Sequence, residues 1–291
     1  MSRTPPFRNS VALFGGVAVM LLTVTGPARP QMSSRAKVNV GPVMVQAART
    51  AKATAAPRSP TCSITGLLAR FDWPLKRTAR RILRGQPIKI VAVGSSSTAG
   101  AGASSRAATY PSRLAAELRR RFPGHQITVL NRGVGGEVAA QMITRFEKAV
   151  IAENPDLVLW QVGTNVLLRG QSLKPTSSVI RKGLAKLKKS GADVVLIDPQ
   201  FAPKVIRKRD FERMVALIAA AAREGNVDLF HRFALMRRWR EVDGMPFRAF
   251  LSKDELHMND WSYRCVAMYL ANAITEAVNR PTETAFFSSP Y

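Results

Sequence analysis

With 291 residues, 46% of them hydrophobic and 22% charged, the chain has enough apolar material for one substantial core, and wholesale disorder is excluded. Its 44 Lys+Arg stand against 19 Asp+Glu, a formal net charge of +25, and a surface of that sign favours polyanions such as anionic glycan, anionic membrane surface or nucleic acid. Many of the cations, among them Arg119-Arg120-Arg121 and Lys188-Lys189, fall on expected exposed helix faces, which reads as a solvated basic surface making weak polyanion contacts, with no specific nucleic-acid partner.

Residues 1–28 place Arg3 and Arg8 before a charge-free stretch at 11–24. About 20 apolar residues are needed to span a bilayer, so this shorter run reads as a signal-peptide core, with an uncleaved N-terminal anchor as the alternative. An exported protein is expected, periplasmic or extracellular, free or held at the membrane by this segment. Residues 29–60 are rich in Ala, Pro, Arg, Ser and Thr without a sustained period, and read as a flexible basic linker. Over 62–84 a lead-in of one or two helical turns is expected to pack on the domain that follows.

After Gly85 the patterns of strand and helix alternate. Strands are expected at 88–94, 126–130, 156–163, 192–198 and 227–233, and helices at 110–122, 138–153, 177–190, 208–224 and 260–279. Short strands separated by helices imply right-handed βαβ crossovers. The fold class is therefore α/β, a single three-layer α/β/α domain over 61–280 around a five-stranded parallel sheet, with 281–291 as a C-terminal tail. Cys62 and Cys265 permit one disulfide between the lead-in and the last helix, or two separate buried thiols. The chain has no C-x-x-C, no His pair at metal-ligand spacing and no acidic cluster, so neither a metal site nor a cofactor is expected. A monomer is the default.

Four features lie at the C-terminal ends of expected strands or just before the last helix. Gly94-Ser95-Ser96-Ser97-Thr98 follows the first strand and presents hydroxyls where open α/β sheets bind ligands. Asn131-Arg132-Gly133-Val134-Gly135-Gly136 follows the second, and its glycines let a backbone N–H approach a ligand closely. Gly163-Thr164-Asn165 follows the third and offers a side-chain amide. Asp254-Glu255-Leu256-His257 precedes the last helix. Its spacing lets a carboxylate accept the imidazole Nδ1–H while Nε2 faces outward as a base in need of a hydroxyl, although Asp260 as a helix N-cap would make the same stretch a plain turn. His125 and His231 read as surface and structural residues. A Walker loop, a dinucleotide fingerprint and a G-x-S-x-G elbow all fail on the residues present.

In that order the four stretches resemble the blocks of the SGNH/GDSL hydrolases: a nucleophile serine in G-D-S, a glycine in an N-x-G-x-x-G-like turn, an asparagine in G-x-N and a D-x-x-H near the C-terminus. The resemblance implies a flavodoxin-like fold and a serine esterase in which Ser96 is the nucleophile, with Ser95 and Ser97 as fallbacks. It makes His257 the base and Asp254 its partner, with an oxyanion hole built from the Ser96 N–H, the Gly136 N–H and the Asn165 amide. Two positions depart from the pattern, because Ser95 stands where the family has Asp and Val166 where an Asp often follows the block-three Asn. Charge and expected export suggest an ester substrate such as an acetylated or anionic glycan. An O-acetyltransferase using the same site, and a non-catalytic polyanion-binding module of the same fold, are the alternatives.

Overall fold

A computed structural model describes residues 61–62 and 66–280. The expected signal segment over 1–28, the linker over 29–60 and the tail over 281–291 lie outside the described residues.

The apolar, β-branched run Ile88–Gly94 forms β1, and β2 (Ile127–Gly133), β3 (Leu157–Gln161), β4 (Asp193–Ile197) and β5 (Asp228–Phe230) join it in a parallel five-stranded sheet of order β2-β1-β3-β4-β5. Ile90 to Val93 and Leu157 to Trp160 are fully buried, as strands covered on both faces must be. The helices in chain order are α1 (Lys76–Leu83), α2 (Ser96–Ala99), α3 (Tyr110–Arg121), α4 (Ala139–Thr144), α5 (Phe146–Ala149), α6 (Thr164–Leu168), α7 (Leu173–Lys189), α8 (Pro203–Ile206), α9 (Phe211–Glu224), α10 (Arg232–Glu241), α11 (Phe247–Phe250) and α12 (Asp260–Asn279). Helices α1, α3 and α12 pack together on one face, and α4, α7 and α9 on the other. The order reverses at β1, which has β2 on one side and β3 on the other. In such sheets the crevice beyond the C-terminal ends of those strands is the place for a ligand.

Helix α7 begins earlier than expected, at Leu173, α9 begins later, at Phe211, β3 ends at Gln161, and α10 is not expected from the sequence at all; three further differences lie beside the site. The helix expected over 138–153 is broken at Arg145, which caps the end of α4 and the start of α5. Its guanidinium turns back onto the Glu137 carboxylate and the Arg132 carbonyl. The strand expected over 227–233 stops at Phe230. There Arg232 is fully buried, and its guanidinium donates to the Asp198 carbonyl at 3.0 and 2.7 Å and to Gln200 Oε1 at 3.0 Å. Asp198 Oδ1 accepts the Phe233 N–H at 2.8 Å. A carboxylate from the end of β4 thus caps α10 across the fold, which local propensity does not reveal. Finally, the second strand runs on to Gly133, so Asn131 belongs to the strand and not to the turn after it.

The two cysteines form a disulfide with a Cα–Cα distance of 5.4 Å and a sequence separation of 203. It ties the lead-in to the fully buried Cys265 on α12.

Candidate active site

The turn after β1 is held from three sides. The Ser95 N–H and hydroxyl donate to Gln161 Oε1 at 2.9 and 3.1 Å, and the Thr98 hydroxyl reaches the same oxygen at 3.4 Å. The Gly94 carbonyl accepts the Val134 N–H at 3.0 Å. Asn131 Nδ2 donates to the Thr98 carbonyl at 2.8 Å, while Asn131 Oδ1 accepts the Gly133 N–H at 2.9 Å. A Cβ at Gly133 would stand 2.2 Å from the Ala99 nitrogen, so only glycine lets β2 lie this close to α2.

Of the three serines, Ser95 and Ser97 are buried at 2% and 1% exposure, whereas Ser96 is half-buried. Ser96 opens α2, and its N–H, at the first helical position, has no intrahelical acceptor. Its Oγ lies 2.8 Å from His257 Nε2. On the other side of the ring, His257 Nδ1 pairs with Asp254 Oδ2. The structure therefore brings Ser96, His257 and Asp254 into one chain of hydrogen bonds across 161 residues.

Asp254 is fixed by its own turn. Its Oδ1 accepts the Ser252 hydroxyl at 2.6 Å and the N–H groups of Leu256 and His257 at 3.0 and 2.9 Å. Partial burial alone would raise this carboxyl, but the hydrogen bonds from Ser252 and His257 and from the two backbone groups outweigh it, and Asp254 is held well below the usual carboxylate range. The carboxylate is thus charged wherever a neutral imidazole could serve as a base. Asn259, not Asp260, caps α12, its side chain accepting the Ser262 N–H at 3.1 Å. Asp260 binds Ser104 instead, at its N–H and hydroxyl.

Gly136 has φ +80, a left-handed value that favours glycine, and its N–H donates to no acceptor among the described residues. Asn165, on α6 just after β3, donates one amide N–H to the Glu137 carbonyl at 2.8 Å, leaving its second N–H for another acceptor. Arg169 Nη2 donates to the Gly136 carbonyl at 2.6 Å. One helical turn thus clamps the 136–137 backbone with two side chains, four residues apart and on the same side of the turn.

The sequence patterns gave no sign of Gln161, Gln200 or Arg169. Gln200 is buried, accepts the Thr164 hydroxyl at 3.0 Å, and donates to the Leu256 carbonyl at 3.3 Å, so it links the Asn165 segment to the His257 loop. Each of these residues acts through partners on turns and helices distant in sequence, and neither periodicity nor motif spacing carries that signal. His125 is half-buried, its Nε2 3.0 Å from the Ile82 carbonyl, and His231 caps the start of α10. Neither contacts the Ser96 cluster.

Residues 61–280 match the sequence profile of the non-GDSL lipase-like family. The absence of Asp at Ser95, next to the central serine, agrees with that description. An arylesterase of Vibrio mimicus is 32% identical over 95 residues, 33% of this chain and 46% of the relative, so the matched part spans about half the relative's length. Among solved structures, a two-domain esterase active on acetylated mannans superimposes with a TM-score of 0.61 at 18% identity, covering 73% of this chain and 56% of that one. The acetyl xylan esterase AlAXEase gives 0.56 at 22%, covering 64% and 100%. At this identity the likeness is one of fold.

Proposed function

Because the chain belongs to the non-GDSL lipase-like family, we propose that it is an exported serine esterase, with Ser96 as nucleophile, His257 as base and Asp254 as the group that orients and charges-compensates the imidazole. The reading rests above all on the 2.8 Å contact between His257 Nε2 and Ser96 Oγ, a hydroxyl and a base within proton-transfer reach. Ser96 Oγ attacks the ester carbonyl carbon as His257 takes its proton. The tetrahedral oxyanion is met by the N–H groups of Ser96 and Gly136 and the free amide N–H of Asn165. Collapse breaks the bond to the alcohol, which leaves with the proton from His257, and water then releases the acid from Ser96 by the same steps in reverse.

The neighbouring folds whose names mention acetylated mannans and acetyl xylan support an O-acetylated carbohydrate as the substrate class. The Cys62–Cys265 disulfide supports export, since such bonds persist in oxidising compartments.

The test is hydrolysis of p-nitrophenyl acetate and of acetylated xylan by the full chain, beside Ser96→Ala, His257→Ala and His125→Ala. Loss of turnover in the first two with retention in the third is expected. Full activity in Ser96→Ala would overturn the assignment, and release of long acyl chains without any acetate would overturn the substrate class.

A further inference from the structure

Arg169 stands apart from the other arginines around the end of β2, the loop after it and α4. Arg132 is neutralised by Glu153 at 2.6 Å and Arg145 by Glu137 at 2.6 Å, and beside the His257 loop Arg207 meets Glu255 at 3.0 Å. Arg169 makes no ion pair among the described residues. Its side chain is exposed, and its bond to the Gly136 carbonyl uses one of five guanidinium N–H donors. Asn165 lies one turn before it, the Arg169 N–H donating to the Asn165 carbonyl at 3.1 Å. A fixed, unneutralised cation therefore sits beside both side chain and backbone donors of the proposed oxyanion hole, with its remaining donors turned to solvent.

Holding one carbonyl does not require a guanidinium. What a guanidinium adds is a planar edge of parallel N–H donors that fits a carboxylate, and an anchored one has lost little entropy in waiting for it. We propose that Arg169 is the specificity residue of this site and receives a carboxylate borne by the alcohol portion of the ester, so that the preferred substrates are acyl esters of acidic carriers such as uronate-type sugars. This deepens the esterase reading above and rests on it.

A matched pair of probes tests the proposal. 4-Acetoxybenzoate carries a carboxylate on its alcohol portion, and methyl 4-acetoxybenzoate is the neutral counterpart. In the full chain, the ratio of kcat/KM for the anionic over the neutral ester is expected to fall about tenfold in Arg169→Gln, the scale of one charge-assisted contact, and to be partly kept in Arg169→Lys. Added salt should lower the wild-type ratio and leave that of Arg169→Gln nearly flat. An unchanged ratio, including an equal loss on both esters, would mean that Arg169 only holds Gly136, and would overturn the proposal. A second readout needs no turnover. Calorimetric binding of 4-hydroxybenzoate to Ser96→Ala should weaken about tenfold when Arg169→Gln is added, and absent or Arg169-independent binding overturns the proposal. If neither ester is hydrolysed while Arg169-dependent binding persists, the esterase reading fails and the anion subsite stands.

Discussion

Asn165 has one amide hydrogen committed to the Glu137 carbonyl and one free, so replacing it removes a donor and loosens the loop that carries Gly136. Asn165→Ala is expected to lower kcat on p-nitrophenyl acetate by on the order of 10²–10³, with little change in KM, and steady-state kinetics read this directly. Two carboxyls should give stability slopes of opposite sign. Asp254 is depressed in the folded chain, so its hydrogen bonds contribute above the unfolded carboxyl range, near 3.9, and that contribution is lost as pH falls through and below it. Asp198, pushed up to about 7 by burial against the opposing pull of the Phe233 N–H and Arg232, costs stability as pH rises from about 4 to about 7. Urea unfolding at pH 4 and 7 should therefore show Asp198→Asn gaining on wild type toward pH 7. Asp254→Asn should lose less than wild type between pH 5 and 3. Ser96, Asn165 and His257 were visible in sequence because each stands in a short motif beside a strand or helix end. Asp198 and Gln161 were not, because a buried polar residue at the end of a strand reads like any other until its partners on distant turns and helices are known.

At the scale of elements, the approach of β2 to α2 depends on Gly133. Gly133→Ala would drive a methyl into the backbone at Ala99, and neither segment can give without moving the Ser96 turn. A loss of about 1–3 kcal/mol or more is expected, together with weakened turnover, measurable by urea unfolding and esterase assay on the same preparation. Joint replacement of Cys62 and Cys265 by Ser should cost about 2–4 kcal/mol. The bounds of β1 and α12 could be read from the sequence because both carry strong apolar patterns with clear ends. The region over 138–153 could not, since its helical period is continuous while the break is made by the Arg145 side chain reaching Glu137 and Arg132. Helix α10, over which no helix is expected from the sequence, was hidden for a similar reason. Arg232 and Phe233 look like a strand's last residues, and only the Asp198 cap from β4 turns them into a helix.

For the molecule as a whole, parallel topology sets two runs of basic residues apart from the chemistry. The last turns of α3 and α7 carry Arg119, Arg120 and Arg121 and Lys186, Lys188 and Lys189, and these helices lead into β2 and β4. Their basic ends therefore lie at the N-terminal edge of the sheet, away from the edge that bears Ser96. Retention on an anionic resin is expected to weaken in the joint variant Arg119→Gln and Lys189→Gln, with kcat/KM for p-nitrophenyl acetate within about twofold of wild type. Equal changes in elution and turnover would show that the two ends are not separate. The disulfide gives the same molecule a second kind of separation. Because Cys62 is bonded to Cys265, tension applied on the far side of each cysteine crosses the sulfurs and leaves along α12 beyond Cys265. Ser96, Gly136, Asn165, Asp254 and His257 all fall inside the covalent ring that Cys62 and Cys265 close, so tension applied outside that ring does not run along the backbone that carries them.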